Sequence, residues 1–222
     1  MRHRAAPPFT LSARNMKLIT FTGIDGSGKS TQLALLKDRL EADGRRVAVF
    51  HAIEFSLANK ISRFLKGEKS FEPGKESAVT HVSFFSLLLR KVFLFIDIIR
   101  FRFFRKKLER SGIEFLLSDR YFYDSVINLE YLSLDKTSSP QKYFASIVTI
   151  IPRPDIAFYL RVTPEAVLRR DRVPEQGSEY LQKKFTLIEQ KKSDWHLREV
   201  DASREKDLVF SDILDILSIP GI

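Results

Sequence analysis

The chain has 222 residues, of which 44% are hydrophobic and 29% are charged, an ordinary composition for a globular protein with room for one α/β domain. It contains no cysteine, which excludes disulfides and thiolate metal sites, and no run of about 20 uncharged apolar residues that could span a membrane as a helix. The formal charge of +9 is compatible with nucleic acid, a membrane surface or small polyanions as ligands.

The first 15 residues precede any periodic pattern and carry Arg2, Arg4 and Arg14. Without these three arginines the net charge falls from +9 to +6, which is modest for a protein that handles phosphates. The segment lacks the apolar core of a secretory signal, and together with the absence of cysteine this favours a cytoplasmic location. We expect a disordered tail or a start codon placed upstream of Met16, with an organelle transit segment as the alternative, and a single domain over residues 16–222.

Apolar patterns with the periods of strands and helices alternate along the rest of the chain. In chain order, the predicted elements are a strand at 17–22, a helix at 30–42, a strand at 47–53, a helix at 56–65, a loop at 68–76, a long Phe- and Leu-rich helix at 79–110, a strand at 114–118, helices at 124–132 and 141–150, a strand at 156–162, a helix from Thr163, a helix at 180–192, a strand at 198–201 and a helix at 205–217. This alternation predicts an α/β fold in which helices flank a parallel sheet of five strands.

The strongest motif lies between the first strand and the first helix. Residues 23–30 have the sequence Gly-Ile-Asp-Gly-Ser-Gly-Lys-Ser and match the phosphate-binding pattern Gly-x-x-x-x-Gly-Lys-Ser in the context that the mechanism requires. Glycines allow backbone N–H groups to surround a polyphosphate, and the helix N-terminus adds partial positive charge. Lys29 then reaches the terminal phosphates, and the Ser30 hydroxyl is placed to bind Mg²⁺. The pattern predicts a P-loop NTPase fold that binds ATP and Mg²⁺ through Gly23, Gly26, Ser27, Gly28, Lys29, Ser30 and Thr31.

GTPases and motor ATPases share this loop, so other motifs must separate the classes. The guanine-reading pattern Asn-Lys-x-Asp is absent, because Asn59-Lys60 is followed by Ile61-Ser62. No apolar strand ends in Asp-Asp or Asp-Glu, as motor ATPases usually require, and the chain is short for either class. A small-molecule kinase is therefore favoured.

Four segments resemble the thymidylate kinase family, in that family's order and over most of residues 16–217. Residues 21–32, Phe-Thr-Gly-Ile-Asp-Gly-Ser-Gly-Lys-Ser-Thr-Gln, resemble its first motif, in which an acidic residue lies inside the loop. Leu-Ser-Asp-Arg-Tyr at 117–121 resembles its second motif, residues 154–166 resemble the strand and helix before its lid, and residues 200–203 resemble the segment beside the ATP adenine. The resemblance implies a three-layer P-loop fold, a small lid at about 168–178 and transfer of the ATP γ-phosphate to dTMP.

The resemblance also implies a role for each matching residue. Asp25 would accept a hydrogen bond from the acceptor sugar, Asp119 would hold Mg²⁺-bound water, and Arg120 would bind phosphate between donor and acceptor. Tyr121 would face the substrate as well, and Ala202 and Ser203 would lie beside the adenine. Because Gly26 stands where some relatives carry a catalytic arginine, the arginine would come from the cluster Arg169, Arg170 and Arg172, with Arg169 and Arg172 as the expected catalytic pair.

The acceptor side departs from the family pattern. The family usually presents an arginine-bearing loop after the second strand, and this chain has no arginine at residues 50–55. In the long helix, the nearest counterparts of the base-reading arginine are Asp97 and Arg100. An Asp in place of an Arg reverses hydrogen-bond polarity and so changes the preferred base. The alternative function is therefore a thymidylate kinase-like phosphotransferase that acts on another nucleotide or small acceptor.

A further alternative is a nucleotide-binding regulator, or a basic membrane-surface protein with Phe101–Arg110 as its amphipathic patch. The presence of Asp25, Lys29, Asp119 and Arg120 together argues against it, because binding alone needs fewer of them. We expect a small-molecule nucleotide substrate and no nucleic-acid or membrane partner. The apolar Phe84–Ile99 helix is the candidate face for a homodimer.

Overall fold

The computed structural model describes residues 16–57, 84–134, 146–170 and 177–217. Its elements in chain order are β1 (Lys17–Thr22), α1 (Lys29–Ala42), β2 (Val47–His51), α2 (Ala52–Phe55), α3 (Phe84–Arg110), β3 (Phe115–Asp119), α4 (Phe122–Ser133), β4 (Ile156–Arg161), α5 (Pro164–Leu168), α6 (Gly177–Lys191), β5 (Arg198–Asp201) and α7 (Lys206–Leu217). All five predicted strands are present, and their ends differ from the prediction by at most two residues. The predicted N-terminal tail, the loop at 68–76 and most of the predicted helix at 56–65 lie outside the described residues, as do residues 79–83 and 141–145 of two other predicted helices.

The five strands form one sheet in the order β2-β3-β1-β4-β5, and every pairing is parallel. The prediction of a parallel five-stranded sheet is confirmed. From β1 the chain runs to the edge strand β2, returns to β3, and then crosses β1 to reach β4 and β5. The connections therefore leave β1 towards opposite sides, and at such a switch point a ligand-binding crevice is expected at the carboxyl end of the strand.

The middle of the sheet is buried on both faces, which explains why its strands are almost uniformly apolar. Leu18, Phe21 and Leu160 are inaccessible to solvent, and the Phe21 ring stacks on Phe158 of the neighbouring strand at 5.4 Å between centroids. Helix α1 packs its Leu36 and Leu40 against this core. Polar side chains appear where these strands end, so the carboxyl edge of a rigid sheet supports the site.

An aromatic cluster joins the β2 edge to the long helix α3. Its rings belong to Phe50, Phe55, Phe101, Phe104 and Phe122, with centroids 4.7 Å apart for Phe50 and Phe101 and 5.3 Å apart for Phe101 and Phe122. Several phenylalanines of α3 therefore belong to the core, where their burial stabilises the fold. Within the described ranges, none of the helices combines the length and apolar character needed to cross a bilayer.

Candidate active site at the phosphate-binding loop

The loop between β1 and α1 depends on two glycines. A Cβ atom at Gly23 would lie 2.6 Å from the Ser27 hydroxyl oxygen and 2.8 Å from the Leu160 carbonyl oxygen, so a larger residue does not fit. Gly28 caps α1 with a left-handed φ of 93°, a conformation that other residues rarely adopt. Since Gly28 has no side chain to satisfy the first N–H groups of α1, these donors face the loop and can bind an anion.

Lys29 is buried and folds back over the loop that precedes it. Its Nζ atom donates to the carbonyl oxygen of Gly23 at 3.0 Å and to that of Ile24 at 2.8 Å. Burial lowers the pKa of its ammonium, and the nearby Arg120 guanidinium adds to this effect. The ammonium therefore lies inside the loop, where a bound phosphate oxygen would compete with the two carbonyls for its protons.

Ser30 and Asp119 bring oxygen ligands together beside the loop. The Ser30 hydroxyl donates a hydrogen bond to Oδ2 of Asp119. Oδ1 of Asp119 is buried and has no hydrogen-bond partner among the described residues. A buried carboxylate oxygen without a donor is costly to the protein, and a hard cation such as Mg²⁺ would satisfy it.

Arg120 is aimed at the loop by an unusual backbone conformation. Its φ of 61° is left-handed, and its backbone N–H donates to the Phe21 carbonyl oxygen at 3.3 Å while its own carbonyl accepts from Ala52 at 3.4 Å. This turn directs the guanidinium back across the end of β1, where Nη2 lies 2.5 Å from Oδ1 of Asp25. A strained residue held in place by its neighbours is typical of a functional site.

Asp25 collects donors from two further side chains, both on α6. Tyr180 donates its hydroxyl to Oδ2 of Asp25 at 3.4 Å, and Nζ of Lys184 lies 3.8 Å from the same oxygen. Burial by itself raises the pKa of the Asp25 carboxyl, but the charges of Lys184, Arg120 and Lys29 outweigh it and lower the pKa to about 2. The carboxylate is therefore ionised at any pH at which the protein works.

Helix α5 begins as the sequence predicts. Thr163 is its N-cap and accepts a hydrogen bond from the Ala166 N–H at 3.3 Å, and Pro164 occupies the first position. The helix ends at Leu168, and the Arg169 side chain that follows is exposed.

Arg170, rather than Arg169, reaches the phosphate-binding loop. Its Nη1 donates to the Gly26 carbonyl oxygen at 2.5 Å, and its Nη2 donates to the Ala202 carbonyl oxygen at 2.6 Å. The guanidinium thus connects the loop to the turn after β5, which supports Arg170 as the lid arginine. Arg172 lies outside the described residues.

Two side chains that the sequence assigned to the substrate, Tyr121 and Asp97, make hydrogen bonds with other parts of the protein. Tyr121 is inaccessible to solvent and donates its hydroxyl to the Pro152 carbonyl oxygen at 2.7 Å, because the turn at Arg120 directs the next side chain into the core. The Tyr121 side chain therefore lies in the core, and its assignment to the substrate stays a prediction. Asp97 is buried, and it accepts from the Leu57 N–H at 3.0 Å and from Arg100 at 2.6 Å.

Asp97 therefore joins the chain after α2 to the long helix, and its assignment to the substrate stays a prediction. Arg100 remains partly exposed, with its guanidinium 4.4 Å from the centre of the Phe55 ring. Its role in acceptor binding stays a prediction.

Comparison with known proteins identifies the group to which this site belongs. The profile of the thymidylate kinase family matches residues 21–213. The chain belongs to the thymidylate kinase family. It is 30% identical over 207 residues to the thymidylate kinase of Thermosipho melanesiensis, covering 90% of this chain and 96% of that protein. It is 26% identical over 198 residues to the probable thymidylate kinase of Methanosphaera stadtmanae, covering 88% and 94%.

Solved structures agree on the fold. The thymidylate kinase of Ehrlichia chaffeensis superposes with a TM-score of 0.57 at 18% identity, covering 91% of this chain and 99% of that one. The thymidylate kinase of Candida albicans gives a TM-score of 0.60 at 19% identity, covering 93% and 92%. The three-layer P-loop α/β fold is confirmed.

Two elements of this thymidylate kinase family site were missed from the sequence, and one of them left a signal. The buried positions of α6 form one stripe, Leu181, Lys184, Leu187 and Ile188. A lysine in an otherwise apolar stripe is unusual, since lysines are rarely buried without a partner. Tyr180, one turn before it, gave no such signal because tyrosine is common in both cores and sites.

The low pKa of Asp25 predicts how the protein loses stability in acid. The carboxyl has a pKa of 3.8 in the unfolded chain and about 2 in the folded protein, so its stabilising effect is complete above about pH 4 and is lost as the pH falls towards 2. The shift corresponds to about 2 kcal/mol. We expect urea unfolding from pH 7 to pH 2 to show that the difference in unfolding free energy between wild type and Asp25→Asn shrinks by about this amount.

Asp38→Asn, on the exposed face of α1, is the matched control for this measurement and should change much less with pH. A difference between wild type and Asp25→Asn that stays constant over the whole range would contradict the assigned role of the Lys184 and Arg120 charges.

Proposed function

We propose that this protein is a Mg²⁺-dependent nucleoside monophosphate kinase that transfers the γ-phosphate of ATP to dTMP, giving ADP and dTDP. Membership of the thymidylate kinase family supports the reaction. The observation that carries the proposal is the convergence of Lys29, Arg120 and Asp25 at the carboxyl end of β1. Phosphoryl transfer requires cations and alignment of the reacting groups rather than covalent chemistry, and these residues supply both.

The donor half of the site follows from the loop. The first N–H groups of α1 and the Lys29 ammonium would bind the β- and γ-phosphates of ATP, and Arg170 approaches the same loop from the lid side. Cations held at fixed positions stabilise the charge that develops on the transferred phosphoryl oxygens. The Ala202 turn, which Arg170 connects to the loop, would lie beside the adenine.

Ser30 and Asp119 are the residues that would hold Mg²⁺. Among the described residues no cluster of three or more His, Cys, Asp or Glu could hold a metal, which suits an ion that takes phosphate and water oxygens as its remaining ligands. When bound, Mg²⁺ would neutralise negative charge on the phosphate groups of ATP. The uncompensated Oδ1 atom of Asp119 supports this position.

The acceptor half contains Asp25 and Arg120. Asp25 stays ionised at neutral pH and can accept a hydrogen bond from a sugar hydroxyl, while Arg120, which contacts Asp25, would bind phosphate between donor and acceptor. One observation favours the second candidate, a related kinase with a different acceptor. The turn after β2 contains no arginine, and Asp97 accepts a hydrogen bond from the backbone N–H of Leu57.

Steady-state assays with purified protein, ATP and a panel of nucleoside monophosphates and nucleosides decide between the two acceptors. We expect dTMP to give the highest kcat/KM in the panel. Turnover of another acceptor without turnover of dTMP would overturn the proposal and establish the second candidate.

The Lys29→Ala variant tests the donor site. Because the loss is electrostatic and affects the transferred phosphoryl group, we expect kcat to fall by about 100-fold or more while the circular dichroism spectrum stays unchanged. Lys37→Ala removes a lysine of the same helix that pairs with Glu41 at the surface, and this variant should retain wild-type rates. Near-normal turnover in Lys29→Ala would show that the loop does not bind the reacting phosphates.

Single substitutions distinguish the lid arginines. Since Arg170 contacts the loop and Arg169 is exposed, we expect Arg170→Ala to lower kcat/KM for ATP by about tenfold or more and Arg169→Ala by less than about twofold. Arg172→Ala tests the remaining residue that the sequence nominated. Equal effects of Arg169→Ala and Arg170→Ala would contradict the assignment of Arg170.

We also propose a homodimer through the exposed face of α3. Its large apolar side chains repeat at intervals of three and four residues, as expected for one helical stripe, and they are Leu88, Val92, Phe95, Ile99 and Phe103. A second copy presents the same stripe, so a two-fold interface would cover both faces. The cytoplasmic location and the absence of nucleic-acid and membrane partners stay predictions from the sequence.

The dimer is tested by size-exclusion chromatography with light scattering. We expect wild type to elute as a dimer and Val92→Glu/Phe95→Glu to elute as a monomer, because buried charges oppose association. Leu208→Glu, at an exposed apolar position of α7, is the control and should stay dimeric. A monomeric wild type at tens of micromolar would contradict the proposal.

A further inference from the structure

Lys184 is a buried lysine that points at the phosphate-binding loop from the opposite side to Arg120. It lies in the middle of α6, is only 6% exposed, and places Nζ 3.8 Å from Oδ2 of Asp25. Arg120 contacts the other oxygen, Oδ1, at 2.5 Å. Burying an ammonium is costly unless an anion lies beside it. The direction of the Lys184 side chain therefore indicates that an anion is held near the loop.

Helix α6 holds Lys184 at a fixed position. Near its carboxyl end, Lys191 pairs with the buried Glu130 of α4 at 3.0 Å, and near its start the Tyr180 ring packs edge-on against Tyr131 at 5.1 Å. The Lys184 ammonium lies 4.7 Å from the centre of the Tyr180 ring, within the range of a cation–π contact. Anchors on both sides and a ring beneath the charge keep the ammonium in one place, as a binding group requires.

The described turn after β2 offers no cation to the acceptor side, and Lys184 can supply one. The turn after β2 carries His51, Ala52, Ile53 and Glu54, so no arginine or lysine reaches the crevice from that turn. Arg120 lies beside Oδ1 of the Asp25 carboxylate and Lys184 lies beside Oδ2, so the two cations flank it. A phosphate group also carries neighbouring oxygens on one central atom, so two cations spaced to flank a carboxylate are also spaced to flank a phosphate.

We propose that Lys184 binds the phosphate group of the acceptor nucleotide opposite Arg120, with Tyr180 as the ring that supports its ammonium. This inference rests on the proposed function. The phosphate of the acceptor then shares the two cations with Asp25, which is left to accept a hydrogen bond from the sugar. Lys184 thereby replaces the arginine that the turn after β2 does not provide.

The test compares dTMP with thymidine, which lacks the phosphate but keeps the sugar and base. Isothermal titration calorimetry with Lys184→Met should show the Kd for dTMP rising about tenfold or more, with the Kd for thymidine and the KM for ATP within about twofold of wild type. Lys184→Arg, which keeps the charge, should recover most of the dTMP affinity. Lys183→Met, which removes the exposed partner of Glu179 on the same helix, should match wild type.

Equal losses of dTMP and thymidine affinity in Lys184→Met would overturn the inference, because they would show that Lys184 only orients Asp25. Unchanged dTMP affinity would overturn it as well. If Lys184→Met does not fold, the pair Asp25→Asn and Asp25→Asn/Lys184→Met repeats the comparison in a background that lacks the Asp25 carboxylate. Within that pair, we expect the added Lys184→Met substitution to raise the Kd for dTMP but not the Kd for thymidine. The absence of this difference would show that Lys184 does not bind the acceptor phosphate.

The acceptor panel keeps this result separate from the proposed function. Wild-type protein that turns over a monophosphate other than dTMP contradicts the acceptor identity alone. The calorimetry is then carried out with that monophosphate and its nucleoside, and the same selective loss in Lys184→Met is expected.

Discussion

The ion pair between Asp25 and Arg120 joins the two segments on which this site depends. Asp25 belongs to the loop after β1 and Arg120 to the turn after β3, and the two strands are parallel neighbours with Phe21 opposite Asp119. The register therefore brings both turns to the same edge of the sheet. The left-handed backbone at Arg120 then turns the guanidinium back over the loop, so that the carboxylate and the cation meet.

Charge balance is the constraint that organises the rest of the site. Lys29, Arg120 and Lys184 all lie close to Asp25, and the three positive charges hold the pKa of this carboxyl at about 2 in spite of its burial. Moving one of these buried charged groups away from its partners would cost several kcal/mol, because no water would replace the lost contact. Each charged group therefore fixes the positions of the others. An anionic substrate that enters the crevice meets cations whose orientation is already set, which is the condition for electrostatic catalysis.

This member of the thymidylate kinase family keeps the donor half of the site and changes the acceptor half. Ser30 donates to Asp119 beside the loop, where we propose that ATP and Mg²⁺ bind, whereas Asp97 binds the backbone after α2 and the turn after β2 carries no arginine. The structure offers Lys184 from α6 as a replacement cation. The acceptor phosphate would then be bound from the lid side of the crevice rather than from the β2 side.

The sequence by itself determined the phosphate-binding loop, the five strands and the position of Asp119 at the end of β3, at the same edge of the sheet as the loop. These follow from local rules: spacing of glycines, alternation of strand and helix, and polar residues at strand ends. Only the tertiary structure decided that Arg170 reaches the loop, that Tyr121 is buried, and that Lys184 faces Asp25. The first two depend on the backbone of the turns after α5 and β3, and the third depends on how α6 packs. A rotation of one residue along a helix moves a side chain by about 100°, which no spacing along the chain resolves.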